Sequence, residues 1–253
     1  MNSKLSSITR RVWLTGWLAL ALPVGALAAP IRVACVGDSI TWGFNISNRV
    51  HNSYPAQLAV MLGTNWVVRN FGVNGATLLH RGDRPYVKQA AYNEALAFQP
   101  DVAVIDFGAN DSKHPDDGSL DSKNAVDNWR HKADFVPDYE EMIAAFRRAN
   151  PNVKIFLCLP TPDYPGRWGI NDETIRVEMI PMIRRVARES EVALIDLYTP
   201  LSGRKELFPD TVHPNAAGAT LMAEAVHRAL TGPPPSATRP NLEPPHKVRL
   251  PAN

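Results

Sequence analysis

Residues 31–45 read IRVACVGDSITWGFN, an apolar run that ends in Gly37-Asp38-Ser39. The run is apolar almost throughout instead of alternating, the pattern of a strand buried on both faces. Glycine, aspartate and serine then mark the point where the strand gives way to a turn or a helix. Ser39 in that place has two readings. It is either turn and capping punctuation, or a hydroxyl displayed at a sharp strand-to-helix turn and ready to attack.

Working outward, the same alternation repeats. A helix is predicted from Ser53-Tyr54-Pro55 to Leu62, with the proline in its first turn and Gly63 stopping it. NWVVRNFGV (65–73) reads as a second strand, residues 86–98 as a helix, and DVAVIDFG (101–108) as a third strand. Residues 135–149 have helical spacing and VKIFLCLP (153–160) is a fourth strand. A long helix follows over 171–188, capped by Asn171-Asp172 and kinked at Pro181. EVALIDLY (191–198) is the fifth strand, and residues 214–230 form the last helix. Strands that are apolar throughout and alternate with helices predict a parallel sheet covered on both faces, a three-layer α/β/α sandwich. Ligands of such sheets bind beyond the carboxyl ends of the strands.

The two ends of the chain read differently. Lys4, Arg10 and Arg11 precede an apolar run, and Ala26-Leu27-Ala28 offers a small-residue cleavage site. Residues 1–28 are therefore expected to be a cleavable export signal, through the general route or, given the paired arginines, the twin-arginine route. The run is broken by Gly16 and Pro23 and is short for a bilayer span, so no stable membrane insertion is expected after cleavage. A periplasmic or secreted protein is the resulting expectation. Residues 29–231 form the predicted domain, and the proline-dense residues 232–253 are expected to be disordered.

Without the three signal-segment cations, 24 of the 27 basic residues face 25 acidic ones. That balance, with no basic cluster interleaved with aromatics, argues against a nucleic-acid partner. Cys35 and Cys158 each lie within an apolar run and lack the spacing of a zinc or redox motif, so two buried free thiols are expected.

The polar residues that follow the strands fall on one rim. They are Gly37-Asp38-Ser39, then Asn74-Gly75, then Gly108-Ala109-Asn110-Asp111, and finally FPDTVHPNAAG (208–218). A serine, backbone donors, an amide and an Asp/His pair are the parts needed for acyl transfer. Taken together, GDSIT (37–41), NGAT (74–77), GAND (108–111) and DTVH (210–213) resemble the four blocks of the SGNH, or GDSL, hydrolase superfamily. The resemblance covers residues 31–231 and implies a flavodoxin-like five-stranded parallel sheet. It implies Ser39 as nucleophile, His213 as its base and Asp210 as the partner that holds the imidazole tautomer. It further implies an oxyanion hole made by the Ser39 and Gly75 N–H groups and the Asn110 amide, with no metal and no cofactor. The chemistry agrees, since a serine is inert without a base and Asp210, three residues before His213, can reach the other ring nitrogen and hold its tautomer. Asp38 and Asp111 are read as turn or hydrogen-bonding residues.

For the substrate, the segments NSYPAQL, NFGVNGATLL and RWGIND are similar to exported sialate-O-acetylesterase-like and carbohydrate acetylesterases of that superfamily. Trp42, Trp129, Tyr164 and Trp168 are candidate platforms for sugar rings, and Arg81, Arg84 and Arg167 candidate contacts for an acidic sugar. The loop 112–133 is a candidate lid. The expected activity is removal of O-acetyl groups from an oligo- or polysaccharide. The alternatives are glycan O-acetyl transfer, a lysophospholipase- or thioesterase-like lipid esterase, and a non-catalytic glycan-binding module.

Overall fold

The computed structural model describes residues 29–114, 126–165 and 167–232. The predicted export signal, the tail beyond residue 232 and the central part of the 112–133 loop lie outside the described residues.

Five strands, β1 (Ile31–Gly37), β2 (Trp66–Gly72), β3 (Val102–Asp106), β4 (Lys154–Leu159) and β5 (Ala193–Asp196), form one parallel sheet in the order β2-β1-β3-β4-β5. Every residue of β3 is buried, as are the last five of β1, because helices cover both faces. The helices are α1 (Ser39–Trp42), α2 (Arg49–Asn52), α3 (Tyr54–Leu62), α4 (Ala90–Ala97), α5 (Phe135–Ala149), α6 (Ile180–Glu189) and α7 (Ala216–Thr231). This is the three-layer sandwich expected from the sequence.

The order places a topological switch at β1. Its chain leaves toward β2 on one side, while β3 pairs with it on the other, in register from Val33↔Val102 to Gly37↔Asp106. A crevice opens at the carboxyl ends of β1 and β3, where residues 38–45 and 107–111 emerge. The approach of α1 to β2 depends on Gly72, since a β-carbon there would sit 2.3 Å from the Trp42 nitrogen. α3 carries Pro55 in its first turn and ends at Gly63 with φ of 75°, as its sequence predicted. The Asn215 side chain caps α7 by accepting from the Ala217 and Gly218 nitrogens, both at 3.0 Å.

Three elements depart from the sequence reading. The helix expected over 86–98 is broken at Gln89, which is extended; a 3-10 turn, Tyr86–Lys88, precedes α4. The cause is tertiary, because the Tyr86 ring is fully buried and its hydroxyl donates to the Phe71 carbonyl at 2.7 Å. At Pro181 the expected kink takes the form of a π-helical stretch, Thr174–Met179, directly before α6. A proline lacks the N–H and crowds the carbonyl four residues back, and the wider turn relieves both. The 112–133 loop is not wholly irregular, since Trp129–Asp134 forms a 3-10 segment leading into α5.

Candidate active site

β1 delivers Ser39 to the first residue of α1. Asp38 caps that turn, its Oδ1 accepting from the Ile40 nitrogen at 2.8 Å. α1 is a single turn ended by Gly43 in the left-handed conformation, so it brings only a short helix start to the serine.

From the other end of the chain, the turn before α7 brings His213 to within 2.8 Å of the serine, Nε2 to Oγ. His213 Nδ1 lies 2.8 Å from Asp210 Oδ2. The turn between them is tight enough to hold Thr211 at a φ of 74°, rare for a β-branched residue. It lets Asp210 Oδ1 accept the His213 nitrogen at 2.7 Å and the Val212 nitrogen at 3.1 Å. Burial works to raise the Asp210 carboxyl. The His213 ring and backbone N–H bonds, the attraction to His213 and the Val212 bond outweigh it, holding the group well below the usual carboxylate range. Ser39 and His213 are both buried, and the histidine ring packs between Phe44, 4.6 Å between centroids, and Trp168, 5.6 Å.

Ser39 and His213 line a cavity of about 190 Å³ together with Phe44, Asn74, Gly75, Asn110, Lys113, Trp168 and Ile170. Gly75 has φ of 74°, a conformation that strains any side-chain-bearing residue. Room is not the constraint, because a β-carbon there would meet only Arg84 Cδ at 3.7 Å. The Asn110 Nδ2 donates to Asp38 Oδ2 and to the Ala76 carbonyl, each at 3.2 Å, the long end of hydrogen bonding. An oxyanion in the cavity would compete with these two weak partners for the amide. Asn128, buried beneath it, donates to the Asn110 carbonyl at 2.8 Å and to Asp83 Oδ1 at 2.9 Å, and Asp83 Oδ2 accepts from Lys113 Nζ at 3.0 Å.

Behind this wall lie three buried carboxyls. Burial pushes Asp38 up to about 6 against its bonds to Ile40 and Asn110. It pushes Asp111 up to about 7, although Asp111 accepts from the Leu79 and Leu78 nitrogens at 2.7 and 3.1 Å. Asp106, the last residue of β3, is raised well above the carboxylate range by burial and by the Asp38 charge. Asp38 and Asp111 have the hydrogen-bonding roles expected of them; Asp106 was not singled out, although a carboxyl closing the apolar run VAVID was the available signal. Among the described residues, no group of three or more His, Cys, Asp or Glu is arranged to hold a metal ion.

Of the four aromatic candidates, the structure brings only Trp168 to the cavity. Trp129 is a correction: it is 1% exposed, packed edge-on against Phe135 at 5.3 Å, and belongs to the core. Trp42 lies under the Arg49 guanidinium at 3.7 Å and does not line the cavity. Tyr164 packs on Phe208 and donates to the Leu201 carbonyl at 2.6 Å, also away from it. Arg81 pairs with Asp134, whereas Arg167 lies over the Trp168 ring at 5.1 Å. Asn74 lines the cavity beside Gly75, on the rim where the sequence placed it, whereas Phe44, Lys113 and Ile170 were not foreseen. Phe44 follows the nucleophile by five residues, and Lys113 follows Asn110 by three.

Residues 35–221 match the GDSL-like lipase/acylhydrolase family. The chain belongs to that family. Among the relatives, a protein named acetylxylan esterase from Xylanibacter ruminicola is 40% identical over 218 residues, 79% of this chain and 43% of that protein. The chain thus spans less than half the length of this curated relative. Family structures share the fold. A lipase/acylhydrolase from Enterococcus faecalis superposes with a TM-score of 0.56 at 26% identity, over 79% of this chain and 95% of that one. A GDSL-like lipase from Parabacteroides merdae does so with a TM-score of 0.59 at 20% identity, over 79% and 95%.

Proposed function

We propose that the protein is a serine esterase that removes acetyl groups from a carbohydrate, working outside the cytoplasm. The observation that carries the catalytic reading is the continuous Ser39–His213–Asp210 relay, with both contacts at 2.8 Å, opening into a cavity that Gly75 and Asn110 also line. In this reading His213 Nε2 takes the Ser39 proton as Oγ adds to the acyl carbon. The carbonyl oxygen becomes an oxyanion facing the Ser39 and Gly75 N–H groups and the Asn110 amide. Collapse of the adduct breaks the bond to the sugar oxygen, which leaves with the proton from His213. Water then adds to the acetyl-serine, giving its proton to His213, and acetate departs as Ser39 is protonated again.

Two observations support a short acyl group on a sugar. The cavity of about 190 Å³ is smaller than the roughly 300–1,000 Å³ that enclose drug-sized ligands. The relative from Xylanibacter ruminicola is named for deacetylating xylan. The indole of Trp168, 38% exposed, offers a flat face at the cavity mouth. Export rests on the basic, apolar and small-residue order of residues 1–28. N-terminal sequencing of protein recovered from the culture medium or periplasm tests it, and a protein retained with residue 1 intact would refute it.

The deciding experiment measures acetate released from acetylated xylan and pectin, and turnover of p-nitrophenyl acetate and a long-chain p-nitrophenyl ester, by wild type and Ser39→Ala. The expectation is acetate release from a polysaccharide, lowered at least about a thousandfold in the variant. Preference for the long-chain ester would move the reading to lipids. A Ser39→Ala protein as active as wild type would remove the serine mechanism.

A further inference from the structure

Among the described residues, Asp210 has four donors. Two backbone N–H groups, from Val212 and His213, bond its Oδ1, and the His213 ring bonds its Oδ2 at 2.8 Å. The fourth is the Asn45 side-chain amide, whose Nδ2 lies 2.7 Å from the same Oδ2. The first three belong to the turn that carries Asp210 itself and fix the carboxylate only relative to that turn. Among the described residues, Asn45 is the donor that reaches Asp210 from elsewhere, 165 positions away in sequence.

The origin of that donor matters. Gly43 and Phe44 nitrogens both donate to the Ser39 carbonyl at 2.9 Å, and Gly43 reverses the chain with φ of 87°. Phe44 then packs on the His213 ring and Asn45, at φ of 60°, turns its amide to Asp210. Asparagine is among the few non-glycine residues that enter this left-handed region readily. The loop that presents the nucleophile thus grips both members of the Asp/His pair with consecutive side chains.

We propose that Asn45 is a positioning residue that locks the Asp210–His213 pair to the nucleophile's own loop. The proposal rests on the esterase reading above. Losing the amide would untie the Asp210 turn from the nucleophile's loop, letting the Asp/His pair shift as a unit relative to Ser39, and would leave Oδ2 with more unshared negative charge facing the imidazole. Other charged groups facing His213 are Asp38, behind Ser39, and Lys113, across the cavity. Neither changes when Asn45 is replaced. Asn45 is exposed, so its replacement opens no core.

The test compares Asn45→Gly, Asn45→Ala and Asn45→Asp with wild type. Asn45→Gly keeps the left-handed backbone and deletes the amide. It is expected to lower kcat on p-nitrophenyl acetate about 10- to 100-fold with KM changed less than about twofold, the loss typical of a displaced catalytic group. The acidic limb of its kcat/KM profile, and the His213 imidazole midpoint followed by NMR, should both move to higher pH, and further in Asn45→Asp. Equal urea midpoints would show that the fold is intact. Wild-type kcat and an unmoved His213 midpoint in Asn45→Gly would overturn the proposal. So would impairment confined to Asn45→Ala, which would assign the effect to backbone strain. Labelling of wild-type Ser39 by a fluorophosphonate separates the two readings: no labelling would overturn the esterase reading, while the His213 midpoints would still decide whether Asn45 acts on the pair.

Discussion

Replacing Asp111 by alanine should destabilise the protein in a way that weakens as pH rises. Asp111 is fully buried, and its carboxyl accepts the Leu79 and Leu78 N–H groups, themselves on fully buried residues. Alanine orphans both donors, at about 1–3 kcal/mol each. Against this stands the burial of the carboxyl, which raises it from 3.8 to about 7. Between pH 4 and 7 the folded wild type therefore holds a proton that the unfolded chain has released, so its stability falls as pH rises. At about 1.36 kcal/mol per pH unit, the full cost is about 4 kcal/mol above pH 7, and roughly a third of that is already felt at pH 5. The alanine variant has no such cost. Its deficit should be largest near pH 4–5 and shrink by about 3 kcal/mol by pH 8. Urea unfolding followed by tryptophan fluorescence at pH 5 and pH 8 gives the two differences in ΔG. A deficit that stays constant, or grows with pH, would refute the assignment of Asp111 as a proton-holding buried carboxyl.

Other outcomes follow from the same packing. Trp129→Ala should cost about 3–5 kcal/mol in urea unfolding, as for a buried aromatic, whereas Trp168→Ala should leave stability nearly unchanged and raise KM for a sugar acetate. The opposite pattern would reverse their places in core and site. Gly72→Ala should slow fluorophosphonate labelling of Ser39, because the new methyl would meet the Trp42 nitrogen and push α1 outward; unchanged labelling would refute that link. Burial pushes the Cys35 thiol up to about 12 and Cys158 well above its ordinary value. Neither should react with a thiol reagent until urea is added, and rapid labelling of the native protein would contradict their burial.

The strands were legible because both faces of the sheet are covered, so IRVACV and VAVID carry no alternation to confuse with a helix. The helix over residues 135–149 could be read to its ends because its apolar stripe and flanking loop are local features. What escaped is decided by contacts between distant segments. Tyr86 breaks a helical pattern to reach the Phe71 carbonyl, which no window around residue 86 reveals. Trp129 was read by its polar neighbours in the loop, while the structure turns its ring inward against Phe135. The short blocks around Ser39, Asn110 and His213 showed which polar residues share the rim. The residues that shape the cavity between them, Phe44, Lys113 and Ile170, carry no such signature, since their side chains are common types whose direction is set by the loops.

Ser39 and His213 are separated by 174 positions, and their contact closes only when the turn before α7 has docked beside β1. A growing chain that has made the serine but not yet the histidine holds a hydroxyl without a base. Reactivity is thereby deferred until the whole sheet has been made, because the turn that leads into α7 arms the first residue of α1.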